Sequence, residues 1–428
     1  MLDSLSLRRP YPLLFALCVP LVFLHATYQP SATVSVGGSD ATLYLSDVSV
    51  LAAGAVGLAA GLALGFAPLR RAPAIWISSA AFLVLVALGT ALGPVLTDGY
   101  PFVKHALTAA KFGEYALLAL AAPLAIRTVE ELTPLLLALV AWSAAATFGA
   151  VLQFLGLWNE FEGRRPGQRE PSFLGIHDLA ALSGAALSLG LIAIALGRYR
   201  RLGLAGGVSG GLGMVLSGAT TAVSGVAAAA LAAWFLGRRR ALALAAVVAV
   251  VGAGVISIRA FDTRPLLDAL GIEHSRTPET NPEASWQQRF ALAYIGGRIF
   301  LDNPLLGVGW QASEEAVNYE PYLDDARRRF PDLPERALPS PEHAWGVQNG
   351  YVQAAADLGI LGLVAFLALF LVPLRVAWRA GADGAVPILW LLVSMGVWIG
   401  LGLVAGIPLV GLTWLSIGLA AASASWRG

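Results

Sequence analysis

Arginine, histidine and amide side chains gather in three segments of this 428-residue chain. Arg164, Arg165 and Arg169 crowd the short stretch Gly163–Glu170. Guanidinium groups keep their charge at any working pH and grip phosphate through paired N–H donors, so this loop suits a pyrophosphate leaving group. Contact with anionic lipid head groups is the plainer use of the same charges. The second segment runs from Ser285 through Gln288-Arg289-Phe290, Tyr294 and Arg298 to Asn303-Pro304-Leu305-Leu306-Gly307-Val308-Gly309. Ser285 and Gln288 have capping-box spacing and Asn303-Pro304 is a stop, which predicts an amphipathic helix between them. Arg289 and Arg298 fall on opposite faces of a straight helix, so Arg289 is the favoured site residue and Arg298 equally suits solvent or a head group. The third segment, Pro341–Tyr351, holds His343, Gln348 and Asn349. His343 could accept a proton from an attacking hydroxyl near neutral pH, although a lone loop histidine is more often structural. Arg327-Arg328-Arg329 beside Asp324-Asp325 reads as a solvated face without chemistry.

Lipid is the solvent for most of the chain that must position these groups. Hydrophobic residues make up 57% and charged residues 13%, with mean hydropathy +0.70, against roughly a quarter charged in soluble chains. A net charge of +1 leaves no basic surplus for nucleic acid, and Cys18 alone allows neither an internal disulfide nor a cysteine metal site. A bilayer core needs about 20 apolar residues per helix. Spans are expected near 11–27, 47–66, 74–93, 106–126, 134–156, 176–196, 202–217, 220–236, 241–258, 357–374, 385–403 and 406–424. The first is read as a retained span, not a cleaved signal, because equally long runs follow it.

Arg8/Arg9, Arg70/Arg71, Arg127, Arg198/Arg200/Arg201, Arg238/Arg239/Arg240, Arg375/Arg379 and Arg427 occupy every second connection, as cytoplasmic loops do. The expected fold is therefore an all-α polytopic membrane protein of about twelve spans with both termini cytoplasmic. It divides into 1–258 with spans one to nine, a large extracytoplasmic loop at 259–347, and 348–428 with the last three spans. Gly57, Gly61 and Gly65 recur at four-residue intervals, a pattern for close helix packing. Lys111 and Glu114 share a helix face and are expected to neutralise each other, with a substrate or proton role as the sharper alternative.

Taken together, the three segments resemble the O-antigen ligase and polymerase superfamily. In that family a large periplasmic loop carries an arginine-bearing helix, an Asn-Pro-Leu-Leu-Gly-Val-Gly-like turn and then a motif entering the next span. Gln288-Arg289-Phe290 through Gly309 looks like the first part, and Asn349 followed by Gly359 and Gly362 looks like the second. The family commonly has histidine just before the Asn position, where this chain has Gln348, and the family's Ser-Arg near the middle spans is replaced by Ser217-Gly218-Ala219-Thr220-Thr221. A neutral amide orients a hydroxyl but cannot take its proton, and His343 could supply the imidazole.

The resemblance implies a metal-independent, inverting glycosyltransferase of the bacterial inner membrane with its active face periplasmic. It would move a glycan from an undecaprenyl-pyrophosphate carrier to an acceptor hydroxyl, that of lipid A core or of a growing polymer. In that reading Arg289, His343 and Gln348 are catalytic, Arg164, Arg165, Arg169 and Arg298 hold pyrophosphate, and Asn349 orients the acceptor or glycan. Partners are the lipid-linked oligosaccharide donor, a lipid or glycan acceptor and membrane lipids. Neither a cofactor nor a metal is expected, because no histidine pairs with a carboxylate or a second histidine at metal-ligand spacing on the outer face. The rivals are a polymerase of the same superfamily, a secondary transporter with its site at the bilayer midplane, and a scaffold or flippase partner. Reporter fusions after Arg127, Arg201, Arg240 and Arg379 are expected to report cytoplasm, and fusions near Gly167 and Asp325 the opposite side. An outer signal after Arg240 breaks the twelve-span arrangement.

Overall fold

The computed structural model describes residues 10–158, 166–238, 240–260, 282–341, 343, 345–403 and 407–426. Arg8, Arg9, Arg239 and Arg427 of the arginine clusters, and Arg164 and Arg165 of the first segment, lie outside them. The main helices are α1 (Tyr11–Cys18), α2 (Leu45–Leu64), α3 (Pro73–Leu96), α4 (Phe102–Glu114), α5 (Leu117–Ala125), α6 (Thr133–Phe154) and α7 (Ile176–Leu196). There follow α8 (Arg200–Ser217), α9 (Thr220–Gly237), α10 (Ala241–Ala260), α11 (Pro282–Asp302), α12 (Gly350–Arg379), α13 (Ala385–Trp398) and α14 (Pro408–Ser423). Among the described residues eight helices, α2, α3, α6, α7, α9, α10, α12 and α13, are long and apolar enough to cross a membrane. Every expected span is helical, but α1 and α14 are short, and α8 opens on Arg200 and Arg201 and holds glycine at six positions.

Two departures from the expected elements have local causes. The run expected as the fourth span breaks into α4 and α5, because Ala116, Leu118 and Ala119 bond to carbonyls three residues back instead of four. The connection before α2 is an antiparallel hairpin, β1 (Ser31–Val36) with β2 (Ser39–Tyr44), whose partly exposed strands turn at Gly37-Gly38. That turn needs two residues with positive φ, which glycine supplies.

Lys111 does not pair with Glu114. Its ammonium lies 3.0 Å from the buried Asp47 carboxylate at the start of α2 and 4.1 Å over the Tyr44 ring. The Gly57, Gly61, Gly65 repeat also divides: Gly57 faces the Ala121 backbone of α5, Gly61 the Phe66 ring, and Gly65 ends α2 at φ +86°. Gly57 thus packs helix on helix as expected, and α8 does so more extensively: a Cβ on Gly203, Gly206 or Gly210 would stand within 2.6 Å of α7 atoms. This contact fixes α7, and with it the residues at the α7 N-terminus, through backbone proximity.

The described part of the large loop is a folded cap. Tyr100, Ala291, Ile295, Ile299, Val308, Tyr319, Leu338 and Ala356 form its small core, which joins α11 to α12 and to the α3–α4 connection. Trp310 drops into the bundle with no exposed surface, its ring 5.6 Å from Phe112 and its indole N–H donating to Thr108. Its carbonyl accepts from the Tyr100 hydroxyl, and the Val308 carbonyl from Thr97.

The two motif halves meet in this cap. Gly359 (φ 68°, ψ −164°) interrupts α12, in a region of backbone space that is essentially glycine's. The interruption leaves the Ala356 and Asp357 carbonyls without helical donors, and the amides of Val308 and Gly309 supply them at 3.0 and 2.9 Å. The Ile360 amide donates in turn to the Pro304 carbonyl at 2.8 Å. The buried Asp357 carboxylate takes the Gln311 and Ser313 amides, each at 3.0 Å, and the Gln353 side chain at 3.1 Å. A Cβ on Gly359 would run into the Leu305 carbonyl, and one on Gly307 (φ 67°) into the Asp357 backbone. Gly359→Ala therefore adds backbone strain of roughly 1–3 kcal/mol to a clash that cannot relax within the helix. It is expected to lower the midpoint of thermal unfolding in detergent and the yield of membrane-inserted protein, whereas Gly381→Ala, beside open space though also at positive φ, is milder. Equal loss from the two substitutions contradicts the interlock.

Candidate active site

α11 begins at Pro282, so Ser285 lies inside the helix instead of capping it. Proline at a first helical position needs no amide partner, which explains the earlier start. Gln288 reaches the Ala337 carbonyl at 3.1 Å and ties the cap's return segment to α11. The next residue, Arg289, turns to the bundle. Its Nη2 stands 3.0 Å from Nε2 of His177, the second residue of α7. Its Nη1 and the Thr221 hydroxyl of α9 both lie within 2.9 Å of where a Cβ on Gly400 would be. A side chain at 400 would push the guanidinium and the Thr221 hydroxyl from these positions.

Arg169 belongs to the same neighbourhood. The Glu170 amide donates to the Leu216 carbonyl at 2.8 Å, and the Arg169 side chain packs on Gly218 in the α8–α9 turn, three residues before Thr221. The segment at 400–403 forms the opposite wall. The Leu403 amide donates to Gln353 of α12 at 2.6 Å, the Gln311 side chain donates to the Leu403 carbonyl, and Val347 and Gly350 lie against Gly402 and Leu401. Arg169, His177, Arg289 and the entry to α12 thus surround one end of the bundle, half-buried.

The other expected site residues divide. Arg298 is exposed and lies over the Tyr322 ring at 5.9 Å, far along α11 and away from Arg289; it serves the cap's outer surface. His343 is exposed too, its ring stacked on Trp345 and its backbone paired with Ser340 in a turn, with no contact to Arg289. Asn349 is the N-cap of α12: its side-chain oxygen accepts from the Tyr351 and Val352 amides at 3.1 Å, so its carbonyl serves the helix. Gln348, just before the cap, is half-buried beside the 400–403 wall, and its amide makes no hydrogen bond among the described residues. The arginine run behaves as a solvated face, Arg327 and Arg328 pairing with Asp324, Asp325 and Glu335, while Arg329 lies 4.8 Å over Tyr294.

His177 escapes the sequence reading because it falls on the first turn of a span, after the arginine loop had ended. The available signal was Gly175-Ile176-His177-Asp178, two ionisable groups where an apolar run begins. Asp178 accepts from the Leu409 amide at 2.8 Å, anchoring that turn to α14.

The expectation that no histidine stands at ligand distance from a carboxylate is corrected by His105, Glu314 and Glu315. Their ligand atoms lie within 4.8 Å of one another, in contact across 210 residues of sequence that no local spacing reveals. Lys104 occupies the cluster, its ammonium 3.1 Å from Glu314 and 3.4 Å from Glu315, so the group is a set of ion pairs clamping the cap onto α4. Burial and the Lys104 charge hold His105 below its ordinary 6.5 against the pull of Glu315, and burial pushes Glu314 up despite Lys104. With its folded value depressed, His105 takes a proton more readily when the cap is undocked, so docking is present above 6.5 and weakens as pH falls. Glu314, raised, works in the opposite sense, losing its contribution as pH rises. The protection of residues 312–318, taken at each pH as the intrinsic amide exchange rate divided by the observed one, is expected to fall several-fold on acidification from about pH 7.5 to about 6, and less in His105→Gln. Higher protection at the lower pH contradicts this assignment.

Residues 205–367, from α8 into α12, match the family model described as O-antigen ligase. The matched region includes Arg289, the cap and the glycine interlock. No curated protein matches the chain.

Proposed function

We propose that this chain, whose residues 205–367 match the family model described as O-antigen ligase, is an inverting glycosyltransferase of the bacterial inner membrane. It takes a glycan from an undecaprenyl-pyrophosphate carrier and joins it to an acceptor hydroxyl, that of lipid A core, on the periplasmic face. The observation that carries this reading is Arg289, a cation of the family region held half-buried at the capped end of a multi-span bundle. A guanidinium in that position can follow the charge of a departing lipid pyrophosphate through paired N–H donors, in a site where lipid and cap limit screening by water. Arg169, against the same helix turn, supplies a second cation to the same leaving group. The lipid tail stays in the bilayer, so donor and acceptor approach the capped end from the membrane and from the aqueous side respectively.

In this reading the chemistry requires no metal: the two arginines meet the pyrophosphate charge and Lys104 already satisfies the one acidic cluster among the described residues. His343 and Arg298 stand outside the reacting region, while Gln348 borders it and orients the acceptor hydroxyl by hydrogen bonding. Glycan transfer from a lipid-linked donor, measured with purified protein in EDTA, is the test. Arg289→Ala is expected to slow transfer about a hundredfold, corresponding to on the order of 3 kcal/mol of barrier. Arg289→Lys should not restore it, because an ammonium lacks the planar fork, and His343→Ala should be nearly silent. Near-normal turnover in Arg289→Ala, or activity that returns only with a divalent ion, overturns this reading.

A further inference from the structure

We infer that His177 is the proton acceptor of the transfer reaction, masked by Arg289 until a phosphate draws the guanidinium away. This rests on the proposed glycosyl transfer and names the residue that serves the acceptor hydroxyl. Arginine has N–H donors and no acceptor, so the 3.0 Å contact fixes the direction of the bond: Nη2 donates and Nε2 of His177 accepts. Nε2 therefore holds a lone pair, with the ring proton on Nδ1. The 3.0 Å contact leaves no room for a sugar carbon, so the base comes into use only once the guanidinium has moved off with the leaving group and opened the space between them.

Among the described residues the other candidates are occupied or remote, His25 accepting the Thr27 amide through Nδ1 at 3.2 Å. His105 is tied to Glu315, His343 stacks on Trp345 at the surface, the Asn349 oxygen caps α12, and the Gln348 amide has no basic lone pair at working pH. His177 is also rigidly held, since α7 is pressed to α8 through Gly203, Gly206 and Gly210 and its first turn is tied to α14 through Asp178.

The sequence of events follows from bond strengths. A guanidinium–phosphate contact joins opposite charges and can be bidentate, whereas the contact with His177 is a single N–H to a neutral acceptor. Binding of the lipid pyrophosphate moves the Arg289 N–H from Nε2 to a phosphate oxygen and frees the lone pair. The acceptor hydroxyl oxygen then forms its bond to the anomeric carbon while the bond from that carbon to the pyrophosphate oxygen breaks. The electron pair leaves on the lipid pyrophosphate beside Arg289, the hydroxyl proton passes to Nε2, and the imidazolium later returns it to water. Donor must bind before the base is available, so hydroxyls that arrive alone meet a masked histidine.

The experiment uses the full-length protein, with transfer and lipid-pyrophosphate binding measured in parallel across pH. His177→Gln keeps an acceptor for Arg289, so pyrophosphate affinity is expected to stay within about twofold, while transfer falls at least about a hundredfold, the range of a lost general base. The acid-side fall of kcat/KM should vanish with it. His177→Ala, supplied with free imidazole, should regain part of its transfer, which a purely structural defect does not allow. Transfer by His177→Gln within threefold of the parent, or loss of pyrophosphate binding in step with transfer and no imidazole rescue, overturns the assignment. A parent protein that binds lipid pyrophosphate yet transfers nothing overturns the glycosyltransferase reading itself.

Discussion

The arrangement depends on a broken helix repaired by a loop. Where α12 is interrupted at Gly359, two carbonyls deep in the protein lose their helical donors, and in an apolar surround each unmade bond costs on the order of 1–3 kcal/mol. The amides of Val308 and Gly309 meet them, and the Asp357 carboxylate gathers two further amides of the same loop. The cap and the membrane bundle are thereby one unit: α12 is satisfied only when the cap is docked, and the cap turn is satisfied only on an interrupted α12. Both surfaces must be glycine at the contact, since the backbones approach too closely for side chains.

Around that joint the remaining contacts act as locators. Trp310 fills the bundle beneath the cap, Tyr100 and Thr97 bond to its backbone, and the Lys104–Glu314–Glu315–His105 cluster closes its outer edge. The result fixes where α11 starts and which way it faces, and so where Arg289 points. On the opposite side the α8 glycines hold α7 against its neighbour and present His177. Two helices far apart in sequence are each located by glycine packing, and the arginine–histidine contact falls between them.

The helical spans were legible because lipid demands long apolar runs, and every run expected from hydropathy is helical. Resolution was lost where the controlling interaction is non-local. The break between α4 and α5 carries no proline, and the Lys111 partner is Asp47, a residue in another span. Arg289 could be singled out from its helix and its motif, and the separation of Arg298 from it followed from 3.6-residue geometry. Asn349 was recognised by motif, but its role as a helix cap is written in backbone geometry. His177 was missed for a related reason: the pair His177-Asp178 at the start of an apolar run is a weak local sign, and its contact with Arg289 is made across 112 residues of sequence. The motif glycines, read as signatures of a family, are in physical terms the contact surfaces of the interlock.

In this mechanism the Arg289–His177 contact is a resting state which a lipid pyrophosphate opens. A structure of the protein in a lipid nanodisc with undecaprenyl pyrophosphate bound tests it most directly. Phosphate oxygens are expected within hydrogen-bond distance of the Arg289 guanidinium, with Arg169 alongside and Nε2 of His177 released toward the site where the acceptor hydroxyl arrives. A pyrophosphate seated elsewhere, with Arg289 still bonded to His177, would contradict it.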